Sequence, residues 1–323
     1  MKKKILITGG FGLLGQSLIK NLNREKVEIY LLDKIKNKKR NKFLYLSNPT
    51  IKIIHGNFND KNFVVKIIKN KKINIIFHSG AVTQVLESLY DPEKTYQTNI
   101  LGTLNILEAI RKINKKIKFI YSSSDKAYGE LRSKTYKEDH RLDSIYPYDL
   151  SKSCSDLICQ SYAKVYGLNI AILRCGNLYG PGDLNLKRIV PETIIKAIQN
   201  KRLTIRSSGQ SIRDYLYIGD AAEAYILVMK KLLRSNKKKQ LLIYNVGSKY
   251  NLKVITIVNM ILKHMGKTFL RPVIKNNSKQ ELKYQKLSYS KIIKELNWKQ
   301  KTNMEEGLKL TIEWYLNNFK YIK

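Results

Sequence analysis

Short apolar runs alternate with amphipathic stretches through the first half of the chain. KILIT (4–8), VEIYLLD (27–33), IKIIHG (51–56), INIIFHS (73–79), IKFIYSS (117–123) and LNIAILRC (168–175) are nearly continuous in apolar residues. Runs of this kind fit strands buried on both faces rather than on one. Between them, 13–23, 61–69 and 96–113 space their apolar residues as helices do. Strands alternating with helices predict an α/β fold, a Rossmann-type doubly wound parallel sheet.

After Cys175 the alternation loosens. GNLYGPGD (176–183) is turn-rich, 189–199 has helical spacing, 203–205 is strand-like, 217–233 returns to the earlier style and LLIYNVG (241–247) reads as one more sheet strand. The segment 253–323 reads as helical, without regular strands. The expected division is a nucleotide-binding domain from 1–175 plus 209–247, and a smaller, mostly helical substrate lobe from 176–208 plus 248–323.

Composition adds little to this picture. The chain has 323 residues, 43% of them hydrophobic, which suits a globular fold of one or two cores. No apolar run approaches the length of a membrane span. The opening MKKKILITGGFGLLG is broken by Gly9, Gly10 and Gly12, so it reads as a strand entering a turn rather than a leader, and a cytoplasmic protein is expected. Three clustered cysteines, Cys154, Cys159 and Cys175, lack a ligand-like pattern with histidine and read as neutral thiols, with no metal site expected. The net charge of +36 changes the picture more, because such a field attracts anions. Its densest run is KIKNKKRNK (34–42), but no nucleic-acid-binding motif accompanies it, so it reads as solvated surface with no nucleic-acid partner.

The candidate chemistry begins in TGGFGLLG (8–15), between the first strand and the first helix. Gly9, Gly12 and Gly15 stand three apart. Glycines there allow a sharp turn and close approach of a pyrophosphate to the free N–H groups of the helix N-terminus. Asp33 ends the second strand, eighteen residues after Gly15. A carboxylate there suits an adenosine ribose and repels a 2′-phosphate, which favours NAD over NADP, although Lys34 and Lys36 stand close by. Asn57 and Phe58, after the third strand, are placed to meet an adenine ring, or to form a plain turn. Further along, Tyr148 and Lys152 lie four apart on a predicted helix and so share a face. An ammonium beside a phenol lowers its pKa from about 10, which makes a general base of a poor one.

With TGGFGLLG, the serines 122–124 and Tyr148-x-x-x-Lys152 in place, the chain resembles the extended short-chain dehydrogenase/reductases, the NAD-dependent epimerases and dehydratases of nucleotide sugars. The likeness runs nearly end to end, through TNILGTLNILEA (98–109), RCGNLYGPGD (174–183), RDYLYIGDAAEAY (213–225), NVGS (245–248), LSYSKIIKELNW and EEGLKLTIEWY. It implies that Ser124 holds the reacting sugar hydroxyl, Tyr148 takes its proton and Lys152 holds the nicotinamide ribose. It extends the cofactor site over Phe11, Leu13, Leu14, Ser79, Gly80, Ala81 and Asn99. It assigns Thr83, Asn177, Arg188, Val190 and Arg213 to the nucleotide-diphosphate sugar, and it implies a homodimer.

Within that family, Asp125 and Lys126 narrow the chemistry. A 4,6-dehydratase oxidises C4, removes the C5 proton, expels the C6 hydroxyl as water and returns hydride to C6, so it needs a further acid and base. The family's dehydratases carry an Asp-Glu or Asp-Lys pair after the serine, and the Asp-Lys form is similar to that of the CDP-glucose 4,6-dehydratase and inverting UDP-N-acetylglucosamine 4,6-dehydratase types. By this likeness Asp125 is the acid and Lys126 the base. Three readings stand: a 4,6-dehydratase, a 4-epimerase or 4-dehydrogenase, and a non-catalytic NAD-fold protein that binds through its basic surface. A turn pair capping the strand, with Lys126 in solvent, is the plain alternative for the pair itself.

Overall fold

The computed structural model describes residues 2–23, 25–34, 51–130, 135–234, 239–277 and 282–322. The basic run at 34–42 lies outside the described residues beyond Lys34, as does Lys36.

The elements are β1 (Lys3–Thr8), α1 (Leu13–Leu22), β2 (Val27–Asp33), β3 (Ile51–His55), α2 (Lys61–Lys71), β4 (Ile75–His78), α3 (Val85–Tyr90), α4 (Pro92–Tyr96), α5 (Gly102–Ile113), β5 (Lys118–Ser124), α6 (Pro147–Tyr166), β6 (Asn169–Cys175), β7 (Asn177–Tyr179), α7 (Ile189–Ile198), β8 (Thr204–Ile205), β9 (Ile212–Tyr217), α8 (Ile218–Arg234), β10 (Gln240–Val246), β11 (Asn251–Lys253), α9 (Val254–His264), β12 (Val273–Ile274), α10 (Ser290–Leu296) and α11 (Met304–Ile322).

Seven strands form the main sheet in the order β10-β6-β5-β4-β1-β2-β3, every neighbouring pair parallel. The continuous apolar strands have the predicted consequence. Ile5, Ile7, Ile29 and Leu31 face a core shared with α1 and α8. Leu6, Tyr30 and Leu32 face the opposite core, built with α2, α5 and α6. A sheet of this kind binds ligands at the carboxyl ends of its strands, where the order reverses. Here those ends carry Thr8, Asp33, His78 and Ser124.

A second lobe grows beyond those ends. The strands β11-β9-β7 form a small sheet. Residues from α7, α9 and α11, including Ile194, Ile257 and Leu308, close a separate core with Tyr179 and Tyr215. Two local differences from the sequence reading have physical reasons. The stretch 96–113 is not one regular helix: a π-helical turn at Gln97–Leu101 precedes α5. In the C-terminal segment, β12 pairs with β8, and α10 leaves the lobe to pack Ile292 and Leu296, with Trp298, on the core under α8. None of the described helices is long and apolar enough to cross a membrane.

Candidate active site

A cavity of about 840 Å³ runs along the carboxyl ends of the strands and under the second lobe. At one end lies the turn after β1. Gly9 has a positive φ of +66°, and a Cβ on it would come 2.6 Å from Gly80 Cα, so this turn tolerates no side chain. A Cβ on Gly15 would come 2.7 Å from the carbonyl oxygens of Gly9 and Gly10. The first turn of α1 is therefore pressed against the loop. Gly12 caps α1 without a side-chain bond, so the N–H groups at its start face the cavity with no side-chain competitor. Asp33 is nearly buried on the cavity wall, and its Oδ2 accepts from the Phe11 N–H at 3.2 Å. Phe11, Leu13, Leu14, Asn57, Phe58, Ser79, Gly80 and Ala81 line the same end. The Phe58 ring meets His78 edge-on at 5.1 Å. An uncapped helix start, a glycine turn and a carboxylate at the end of β2 together fit a dinucleotide.

Ser124, Asp125, Lys126, Tyr148 and Lys152 all line the middle of the cavity. β5 ends at Ser124, and a 3₁₀ turn over Asp125–Tyr128 follows at once. Ser124 starts that turn: its Oγ accepts from the Lys126 N–H at 3.2 Å and donates to Asp125 Oδ1 at 2.9 Å. Asp125 is only 2% exposed, and its Oδ2 has no hydrogen-bond partner among the described residues. Burial raises its pKa, opposed by the Lys126 charge, the Ser124 bond and the Arg213 charge. Among the described residues Lys126 Nζ reaches only Gln285 Oε1, at a long 3.5 Å, and the side chain is partly buried. The pair thus caps the strand and also forms part of the cavity wall.

Tyr148 and Lys152 share the buried face of α6, as their spacing predicts. The expected electrostatic effect is not what the structure contains. Lys152 Nζ donates to the Ser122 carbonyl at 2.7 Å and sits 5.2 Å over the Tyr121 ring. Burial lowers its pKa to about 8. Burial also pushes the Tyr148 hydroxyl well above its ordinary value, opposed mainly by the Arg188 charge. Desolvation outweighs the cations around it, so Tyr148 holds its proton in this state.

At the lobe end, Thr83, Asn177, Arg188 and Val190 line the cavity. The Asn177 Nδ2 is buried without a hydrogen-bond partner among the described residues, a donor available to a ligand. Arg188 Nη1 donates to Asp183 Oδ2 at 3.2 Å. Asp214 is fully buried and accepts from the Ser248 and Leu287 N–H groups at 2.8 and 3.3 Å. Two expected site residues lie off the wall. Asn99 is 2% exposed and braces the loop before α3: its Oδ1 accepts from the Val82 N–H, and its Nδ2 donates to the Val82 carbonyl and Ser151 Oγ. Arg213 is 7% exposed, Nη1 donating to the Ile212 carbonyl at 2.9 Å, and its charge is felt by Asp125 and Asp149 instead. In both cases the backbone turns the side chain behind the surface that the ligand end presents.

Four residues on or behind the wall had no motif to announce them. Arg206 lines the lobe end. Gln84 Nε2 donates to Asn185 Oδ1 at 3.0 Å across the cavity, joining the loop before α3 to the lobe. Asp149, beside Tyr148, is 3% exposed, with no partner for Oδ1 among the described residues. Gln285 is fully buried behind Lys126. Adjacency to Tyr148 was the only available signal, and it pointed to Asp149 alone.

A doubly wound sheet with a glycine turn at α1, a Ser–Tyr–Lys set at the ends of β5 and α6, and a small lobe over the cavity defines a short-chain dehydrogenase/reductase of the extended type. Residues 5–247 match the NAD dependent epimerase/dehydratase family, and the chain belongs to it. It is an enzyme family of nucleotide-sugar dehydratases and epimerases. A trifunctional UDP-glucose 4,6-dehydratase/UDP-4-keto-6-deoxy-D-glucose 3,5-epimerase/UDP-4-keto-L-rhamnose-reductase of Arabidopsis thaliana is 30% identical over 98% of this chain and 47% of its own length. The chain therefore spans about half of that relative. Among solved structures, UDP-glucose 4-epimerase of Thermotoga maritima with UDP-glucose is similar at a TM-score of 0.87 and 27% identity, covering 98% of this chain and 99% of the other. dTDP-glucose 4,6-dehydratase of Bacillus anthracis in complex with NAD follows at 0.86 and 25%, covering 99% and 100%.

Proposed function

We propose that this chain is an NAD-dependent nucleotide-sugar 4,6-dehydratase. The observation that carries the reading is the Asp125–Lys126 pair on the cavity wall directly after Ser124, with a buried, unpartnered carboxyl oxygen on Asp125. An epimerase has no use for a second acid and base there, because its ketone intermediate only has to turn over and take hydride back on the other face.

In this reading Gly9, Gly12, Gly15 and the start of α1 hold the cofactor pyrophosphate, Asp33 holds the adenosine ribose and Lys152 the nicotinamide ribose. When bound there, NAD would supply the redox chemistry of the reaction, the acceptor for the C4 hydride and its donor to C6. Ser124 and Tyr148 hold O4, and Tyr148 takes its proton. Lys126 removes the C5 proton, made acidic by the C4 ketone, and Asp125 protonates the departing C6 hydroxyl. Asn177, Arg188 and Thr83 bind the nucleotide diphosphate and sugar, with Arg206 added to the expected set and Arg213 acting from behind. Residues 1–175 with 209–247 would serve the cofactor, and 176–208 with 248–323 the substrate, except that α10 packs with the first unit. A homodimer belongs to the same reading, since α6 leaves Leu157 and Val165 exposed.

The test is a panel of nucleotide sugars with mass spectrometry of the products. Loss of water is expected. Unchanged mass with a new sugar identifies an epimerase, loss of two hydrogens a dehydrogenase, and no reaction at all the non-catalytic reading. Asp125→Asn and Lys126→Ala should each abolish water loss yet leave NAD bound, and near wild-type water loss in both would overturn the assignment.

A further inference from the structure

We propose that Gln16 is a positioning residue that makes the cofactor turn and the loop carrying Arg188 move as one, so that NAD and the nucleoside diphosphate each help to hold the other. The inference rests on where the two ligands lie in the proposed reading and not on which sugar chemistry follows. It applies to a dehydratase and an epimerase alike.

Gln16 stands in the first turn of α1, is 7% exposed and does not itself line the cavity. Its carboxamide nitrogen uses both hydrogens. Nε2 donates to the Phe11 carbonyl at 2.9 Å and to the Gly182 carbonyl, 166 positions along the chain, at 3.2 Å. A Cβ on Gly182 would come 3.0 Å from Gln16 Oε1, so the carboxamide lies against the backbone of that loop. The two carbonyls belong to opposite ends of the site. Phe11 is in the glycine turn, and its N–H donates to Asp33 Oδ2 at 3.2 Å. Gly182 is in the loop between β7 and α7. Asp183, next to it, accepts from Arg188 Nη1 at 3.2 Å and from the Asn185 N–H at 3.0 Å, and its carbonyl accepts from the Tyr315 hydroxyl on α11. One side chain thus ties the peptide beside the cofactor pyrophosphate to the peptide that seats Arg188.

The tie is buried at both ends. Pulling the loop from the turn leaves a buried N–H and a buried carbonyl without partners, which is costly. A ligand that orders the turn through the N–H groups at the start of α1 therefore orders the loop as well, and the second ligand has less left to order. Linkage makes the effect reciprocal. Whatever factor NAD adds to the affinity for a nucleoside diphosphate, the diphosphate adds to the affinity for NAD.

The test uses NAD-loaded enzyme, with UDP, dTDP and CDP as probes. Release of NAD is followed by dilution into an excess of an enzyme that consumes free NAD, with and without each diphosphate at saturation. In wild type a diphosphate that binds should slow NAD release by about fivefold or more. Gln16→Met keeps the length of the side chain and loses its donors, and its NAD release should change by less than about twofold. Slowing as large in Gln16→Met as in wild type overturns the inference, and so does unchanged release in wild type. A role in packing alone would lower the melting temperature or speed release in both conditions without altering the ratio between them. A second readout needs no variant: the diphosphate should slow hydrogen exchange in the glycine turn as well as in the loop of wild type, and protection confined to the loop overturns the tie. Calorimetry of the three diphosphates on NAD-loaded wild type and Arg188→Ala separates the failures. If none binds, or if Arg188→Ala binds as tightly as wild type, the placement of the substrate fails and takes the tie with it. Binding that depends on Arg188 without slowed NAD release overturns the tie alone.

Discussion

Asp149 follows Tyr148 in sequence, sits inside the protein and carries a carboxyl oxygen, Oδ1, with no hydrogen-bond partner among the described residues. Burial raises its pKa to about 6, against the attraction of Lys126 and Arg213. An acid whose folded-state pKa exceeds its unfolded value of about 3.9 contributes most to stability when protonated. That contribution is complete below about pH 4 and is lost as pH rises through about 6. Asp149→Asn should remove this dependence. Urea melts at pH 4 and pH 7 should show the stability of the variant, relative to wild type, rising by on the order of 2 kcal/mol. A constant difference would mean that Asp149 does not titrate in that window. Legibility at this scale followed motif context. Ser124, Tyr148, Lys152 and Asp33 stand at spacings tied to strand ends and helix faces, so the chain order alone placed them on one cavity. Asp149, Arg206 and Gln285 belong to no such spacing. Their positions depend on which segments the fold brings together, and the chain between Lys126 and Gln285, 159 positions apart, carries no pattern that says so.

The elements that carry Ser124, the Asp125–Lys126 pair, Tyr148 and Lys152 are held by a buried charge pair. Arg174 on β6 is 1% exposed and grips Asp156 on α6 with two bonds, Nε to Oδ2 at 2.9 Å and Nη2 to Oδ1 at 3.0 Å. Asp156 also accepts from Ser123 Oγ at 2.8 Å, next to Ser124 on β5. Arg174 Nη1 donates to the Tyr128 hydroxyl, which closes the 3₁₀ turn holding Asp125 and Lys126. One guanidinium thus fixes the turn, the end of β5 and the helix of Tyr148 and Lys152 against one another. Removing one partner of a buried pair leaves an uncompensated charge, which costs about 3–5 kcal/mol. Arg174→Met should lose about that much in chemical denaturation. Arg174→Met with Asp156→Leu should recover most of it without recovering activity, because the charge is gone but the alignment is too. Recovery of activity in the double variant would show that packing alone aligns the site. Strands and helices of this layer were legible because each keeps one period over many residues. The sheet β11-β9-β7 was not, since two of its strands have three residues each, too few to show alternation. The π-helical turn at Gln97–Leu101 preserves helical spacing on both sides and so leaves no trace in the apolar pattern.

Across the whole molecule, two bodies of different construction meet over one cavity, and the charge of the chain bears on what enters it. The sheet supplies the cofactor end, and the lobe supplies Lys187, Arg188 and Arg206 at the other, against Asp183, which already accepts from Arg188. In the proposed reading, a nucleoside diphosphate entering between them would meet these cations and, beyond them, the field of a chain with net charge +36. The two contributions differ in range. Charges on the solvated surface are screened beyond a Debye length of about 8 Å at physiological ionic strength, whereas cations in direct contact with phosphate are screened much less. Raising salt from about 50 mM to about 500 mM should therefore raise KM for a nucleoside diphosphate sugar by about threefold or more and leave kcat nearly unchanged. Arg206→Ala should raise KM at both salt concentrations with a similar salt slope, because it removes a contact and not the field. A variant whose slope collapses would place the steering in the cavity itself. A KM insensitive to salt in wild type would leave the lysine-rich surface without a part in substrate capture, and the excess charge would then need a partner other than the substrate.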